Sequence, residues 1–126
     1  MRDDAVLVVE DDPVAAQAIK AMLESSFDGL IEVLGADSIS RAEEVIGDQP
    51  VSCVFLDLGL PDSAGLEGLR RLVAAAPEVP VIVVTATDDE MLATQALQEG
   101  ARDYIPKSAA TLDLLERLTR QTLWGS

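Results

Sequence analysis

The chain has 126 residues, 48% hydrophobic and only 3% aromatic, with 9 Lys and Arg against 23 Asp and Glu for a formal net charge of −14. That length predicts one domain, residues 1–126 with a core over about 5–120, and the acidity excludes binding to nucleic acid or to an anionic membrane. No histidine occurs and Cys53 is the only cysteine, which removes His-based metal sites, Ser-His-Asp and Cys-His catalysis, and an intrachain disulfide.

Met1-Arg2-Asp3-Asp4 is charged, and no apolar segment long enough for a signal peptide or membrane span follows. The expected location is therefore cytoplasmic. Ala5–Val9 reads as a first strand that stops on Glu10-Asp11-Asp12. Asp12 is placed to cap a helix beginning at Pro13, with Val14, Ala15, Ala18, Ile19, Met22 and Leu23 as its apolar stripe. Leu30–Leu34 alternates as an edge strand does. Ser40 and Glu43 form a capping-box pattern for a second helix ending near Gly47.

Val51–Leu56 is apolar enough for a central strand, includes Cys53 as a small buried hydrophobe, and stops at Asp57. The loop from Gly59 to Ser63 precedes a helix carrying Leu66, Leu69, Leu72 and Val73. Val79–Val84 is a fourth strand with Pro80 at its beginning. Thr87 and Glu90 make a second capping-box pattern, opening a helix that Gly100 ends. Arg102–Ile105 is a short fifth strand, and Thr111 starts a last helix with Leu112, Leu115 and Leu118 inward.

Alternating strands and helices predict a parallel sheet with helices on both faces. A flavodoxin-like, doubly wound α/β fold with strand order 2-1-3-4-5 and five helices brings the strand ends to one crevice, at the switch point between strands one and three. Glu10, Asp11 and Asp12 arrive from strand one, Asp57 from strand three, Thr85 from strand four and Lys107 from beyond strand five. Crowded carboxylates repel unless a cation joins them, and oxygen ligands suit Mg2+. Asp11, Asp57 and a backbone carbonyl near Gly59 are candidate ligands, with Glu10 acting through a metal-held water. A carboxylate beside such a metal can attack phosphorus, and an ammonium and a hydroxyl can then hold the phosphoryl oxygens. Taken singly, each residue has an ordinary explanation: Asp12 as a cap, Asp57 as a strand terminator, Thr85 as a strand-end residue, Lys107 as a solvated cation. Their co-occurrence on successive strands carries the functional reading.

From Val6 to Leu118 the chain resembles the receiver domain of two-component response regulators, members of the CheY-like superfamily. The resemblance rests on Val8-Val9-Glu10-Asp11-Asp12, Phe55-Leu56-Asp57, Leu60-Pro61-Asp62 followed by Gly65, Val84-Thr85-Ala86, and Gly100 through Lys107. It implies that Asp57 is the phosphoacceptor, that Glu10 and Asp11 form the metal pocket with Asp57 and the Gly59 carbonyl, and that Thr85 and Lys107 contact the phosphoryl group. Tyr104 falls on the family's aromatic switch position. Two positions depart from the pattern: Ser108 follows Lys107 where Pro is frequent, and Gly59 stands where a larger side chain is frequent.

The implied function is a phosphorelay switch rather than a turnover enzyme, although it assists its own phosphorylation and dephosphorylation. Its partners would be a histidine kinase or phosphotransfer protein and a downstream protein target, with a phosphorylation-dependent dimer possible and no direct nucleic-acid or membrane contact. No output segment is read after Leu118. Two rivals are a receiver-fold interaction module that works without phosphorylation and a phosphohydrolase of the haloacid-dehalogenase type. The latter carries a second Asp two residues after its nucleophile, where this chain has Gly59.

Overall fold

The computed structural model describes residues 4–125. Five strands, β1 (Asp4–Val9), β2 (Ile31–Ala36), β3 (Cys53–Leu56), β4 (Val81–Thr85) and β5 (Asp103–Pro106), form one sheet in the order β2-β1-β3-β4-β5. Every neighbouring pair is parallel, with Val9 opposite both Ala36 and Leu56, and Val83 opposite both Leu56 and Tyr104. The helices are α1 (Pro13–Phe27), α2 (Ile39–Asp48), α3 (Glu67–Ala75), α4 (Glu90–Gln98) and α5 (Leu112–Trp124). This is the predicted doubly wound architecture.

Alternation along the strands divides the core between the two faces. Leu7, Val9, Val54, Leu56 and Val83 pack with Ile39 of α2, Leu69 and Leu72 of α3, and Ala96 of α4. Val6, Val8, Phe55 and Ile82 pack on the other face with Ile19, Leu23 and Phe27 of α1 and Leu115 of α5. Because β1, β3 and β4 are buried on both faces, they read as continuous apolar runs. Edge strand β2 alternates as expected but extends to Ala36, whose carbonyl accepts the Glu10 N–H at 2.9 Å.

Several local expectations are corrected. Asp12 caps α1 as predicted, accepting the Val14 N–H at 3.0 Å. However, Val14 is 78% exposed and Ala18 is also exposed: the first turn stands at the carboxyl edge of the sheet, and the buried stripe is Ile19, Leu23 and Phe27. The cap of α2 is Ser38, accepting from Arg41, rather than Ser40. Asp62, distant in sequence, takes the Ser40 N–H instead. Asp89, not Thr87, caps α4, accepting from Met91 and Leu92. Pro80 lies just before β4, where only its carbonyl is needed, for the Val54 N–H. Leu112 is 45% exposed, because Leu115 and Thr119 define the inward face of α5. Gly100 follows α4 at φ +112, where a β-carbon would also press on Val73 at 3.3 Å.

Candidate functional site

The two central strand ends are fixed by continued sheet pairing. The Glu10 N–H bonds to Ala36 and the Asp57 N–H to Val9 at 3.0 Å, so both backbones are held as in a strand while their side chains enter the crevice. The structure brings Glu10, Asp11, Asp57, Gly59, Thr85 and Lys107 to one cleft of about 430 Å³. Thr87, read from sequence only as a helix cap, and Leu92, not singled out at all, also border it. A groove of about 480 Å³ between α1 and β2 is larger, but of the clustered acids it includes only Glu10.

Within the cleft the Glu10 side chain is only 2% exposed. Its Oε2 accepts the Asp12 N–H at 3.2 Å. Its Oε1 is ion-paired with Lys107 Nζ at 2.5 Å. Lys107 Nζ also reaches Asp57 Oδ2 at 3.5 Å, while Asp57 Oδ1 accepts the Gly59 N–H at 3.1 Å. A β-carbon on Gly59 would sit 3.7 Å from both Asp57 oxygens, an ordinary contact. Glycine therefore leaves that approach to the carboxylate open. Lys107 opens a short 3-10 turn, Lys107–Ala109, and no cis peptide bond occurs among the described residues.

These contacts separate the two buried acids electrostatically. Burial pushes the Glu10 carboxyl above its ordinary range; Lys107 opposes this, and the neighbouring Asp57 adds to it. Burial acts on Asp57 in the same direction but is outweighed by hydrogen bonding from Glu10, the Gly59 N–H, the Lys107 charge and the Thr85 hydroxyl, leaving its carboxyl below the usual value. Burial would lower the Lys107 ammonium, but Glu10 and Asp57 hold it above its usual value. The shift favours the ionised form of Asp57, and an ionised carboxylate is the nucleophilic form.

Glu10, Asp11 and Asp57 each place a carboxylate oxygen within 4.8 Å of the others. An all-oxygen set of this kind suits a hard divalent cation, and three carboxylates clustered with one lysine leave negative charge that such a cation would neutralise. The residues present thus fit Mg2+. Asp12 also lines the cleft, but its carboxylate caps α1. Tyr104 is half-buried against the core face shared with Val83, and its hydroxyl donates to the Thr87 carbonyl at 2.6 Å. Burial, with Asp89 and Asp88 nearby, pushes its phenol up.

Comparison with known proteins identifies the family and the fold. A family model described as "Response regulator receiver domain" matches residues 6–119. Response regulator MprA of Mycobacterium ulcerans (strain Agy99) is 34% identical over 113 residues, which is 90% of this chain and 47% of that protein. The chain thus spans about half the length of the curated relatives it matches. Among solved structures, the receiver domain of NtrX from Brucella abortus is 28% identical with a TM-score of 0.84, covering 96% of this chain and 99% of that one. A response regulator receiver domain protein from Clostridium thermocellum is also 28% identical, with a TM-score of 0.83 over 95% of this chain and 94% of that one.

Proposed function

The chain belongs to the response regulator receiver domain family of two-component signalling, and on that premise we propose that it is a switch phosphorylated on Asp57. The observation that supports this most is the pairing of Asp57 with Lys107 at 3.5 Å, in a cleft where Glu10 and Asp11 add the remaining acids. In the transfer, an Asp57 oxygen attacks phosphorus, the bond from phosphorus to the donor's histidine nitrogen breaks, and that nitrogen leaves as the imidazole. Glu10, Asp11, Asp57 and the Gly59 carbonyl would hold Mg2+, which when bound neutralises charge on the transferred phosphoryl oxygens.

Lys107 and Thr85 then serve as charge and hydrogen-bond partners for the new phosphoryl group. The added charge, about −1.5 to −2 at neutral pH, favours an arrangement with Thr85 drawn toward Asp57. Tyr104, hydrogen-bonded to the loop after β4, carries that shift to the surface of α4, β5 and α5. This surface is the candidate contact for a downstream protein or a second copy of the chain. A histidine kinase or phosphotransfer protein is the donor class. Among the described residues no helix is long and apolar enough to cross a membrane, consistent with action in the cytoplasm.

Mg2+ titration by calorimetry tests this reading. Saturable binding is expected at millimolar metal, with loss in Asp11→Ala and Asp57→Ala. A folded wild-type protein that binds no Mg2+ in that range would instead favour an interaction module that works without phosphorylation.

A further inference from the structure

The motif residue Asp62 plays no part in the chemistry above, yet its carboxylate is fully engaged with a different element. Its Oδ1 accepts the Ile39 N–H at 2.9 Å and its Oδ2 accepts the Ser40 N–H at 3.0 Å. A helix leaves its first amides without intrahelical partners, and those donors are normally satisfied by the residue before the helix. Here Ser38 takes only the Arg41 N–H, at 3.1 Å, and the β3–α3 loop supplies the anion for the other two. The two amides hold the Asp62 carboxyl below its usual range.

An apolar contact closes the same joint. Ile39 is fully buried, and a β-carbon on Gly68 of α3 would lie 2.6 Å from Ile39 Cδ1 and 2.9 Å from Cγ1. Only glycine lets the first turn of α2 approach α3 so closely. One turn further on, Glu43 of α2 meets Arg71 of α3 at 2.5 Å. The loop after β3 is therefore fastened at two points: at Asp57, through the Gly59 N–H, and at Asp62, through α2. Between them Leu60 is buried and Pro61 restricts the backbone, so the segment containing the Gly59 carbonyl has little freedom while both ends hold.

We propose that Asp62 is a positioning residue: by seating the β3–α3 loop on the N-terminus of α2, it sets the placement of Gly59 and thereby the Mg2+ affinity of the acidic cleft. This deepens the phosphorylation reading and rests on it. The informative comparison is Asp62→Ala against Ser38→Ala, because both remove a side-chain acceptor from the same helix end but only the first releases the loop. Asp62→Asn, which replaces one accepting oxygen with a donor, serves if the alanine variant folds poorly.

Two readouts separate the possibilities: Mg2+ affinity by calorimetry, and hydrogen exchange of the Gly59 amide in metal-free protein. Loosened outer-sphere support is expected to weaken Mg2+ binding about tenfold in the Asp62 variants, with faster Gly59 exchange, while Ser38→Ala stays near wild type in both. Equal Mg2+ affinity and equal Gly59 exchange in the Asp62 and Ser38 variants would overturn the positioning role. A wild type that binds no Mg2+ would instead overturn the phosphorylation reading, and the Gly59 exchange rates would still report on the joint.

Discussion

Strand β1 carries an acid at each end, and the two ends are built to opposite purposes. At the amino end, Asp4 is satisfied on both oxygens, by Ser52 Oγ and by Trp124 Nε1, each at 3.0 Å. Trp124 stacks edge-on against Phe27 at 5.6 Å, and the Arg120 guanidinium lies 5.3 Å from the Phe27 ring and 5.7 Å from the Trp124 ring. This cluster ties α5 to α1 and to the sheet. At the carboxyl end, Glu10 and Asp57 share the single charge of Lys107, and Asp11 adds a third carboxylate to the same cluster. The closed end uses its charge to stabilise the fold. The open end leaves charge unmatched, which disfavours the metal-free protein and favours a bound cation.

Breaking the closed end should have the largest effect on stability. Trp124→Ala is expected to lower unfolding free energy by about 2–3 kcal/mol, through lost ring contacts with Phe27 and loss of its hydrogen bond to Asp4. Mg2+ affinity should remain unchanged; calorimetry and a urea melt followed by circular dichroism check both parts. A parallel loss of Mg2+ affinity would break the division between the two ends.

A smaller effect of opposite sign sharpens it. Thr119, five residues before Trp124 on the inward face of α5, is fully buried with a hydroxyl that has no hydrogen-bond partner among the described residues. Thr119→Val keeps the shape and removes the unsatisfied group, and the same melt should show a gain of about 1 kcal/mol. An unchanged or lowered stability would mean that the hydroxyl has a partner in solution.

Much of this was legible in the chain because it was local. The runs Val6–Val9 and Val81–Val84 announce buried strands, and Asp12 before Pro13 announces a helix start. Misreadings arose where a distant residue decided a local outcome. Ser40 fits a capping box by sequence, but Ser38 is the cap and Asp62, 22 residues beyond Ser40, takes the Ser40 N–H. Thr87 fits the cap of α4 by sequence, but its carbonyl accepts from Tyr104 and Asp89 takes the amides. The site residues were readable because a parallel sheet brings consecutive strand ends together. The 2.5 Å approach of Lys107 to Glu10 and the Asp4–Trp124 bond join residues about a hundred positions apart. No periodicity or capping pattern encodes either contact.

The central claim is that Asp57 is the nucleophile of the open end. Incubation with acetyl phosphate and Mg2+, followed by intact-mass and peptide analysis, should show an adduct of about 80 Da on Asp57. The adduct should be absent from Asp57→Asn and should fall when EDTA removes the metal. A folded wild-type protein that gains no adduct, or gains it on a residue other than Asp57, would contradict the account.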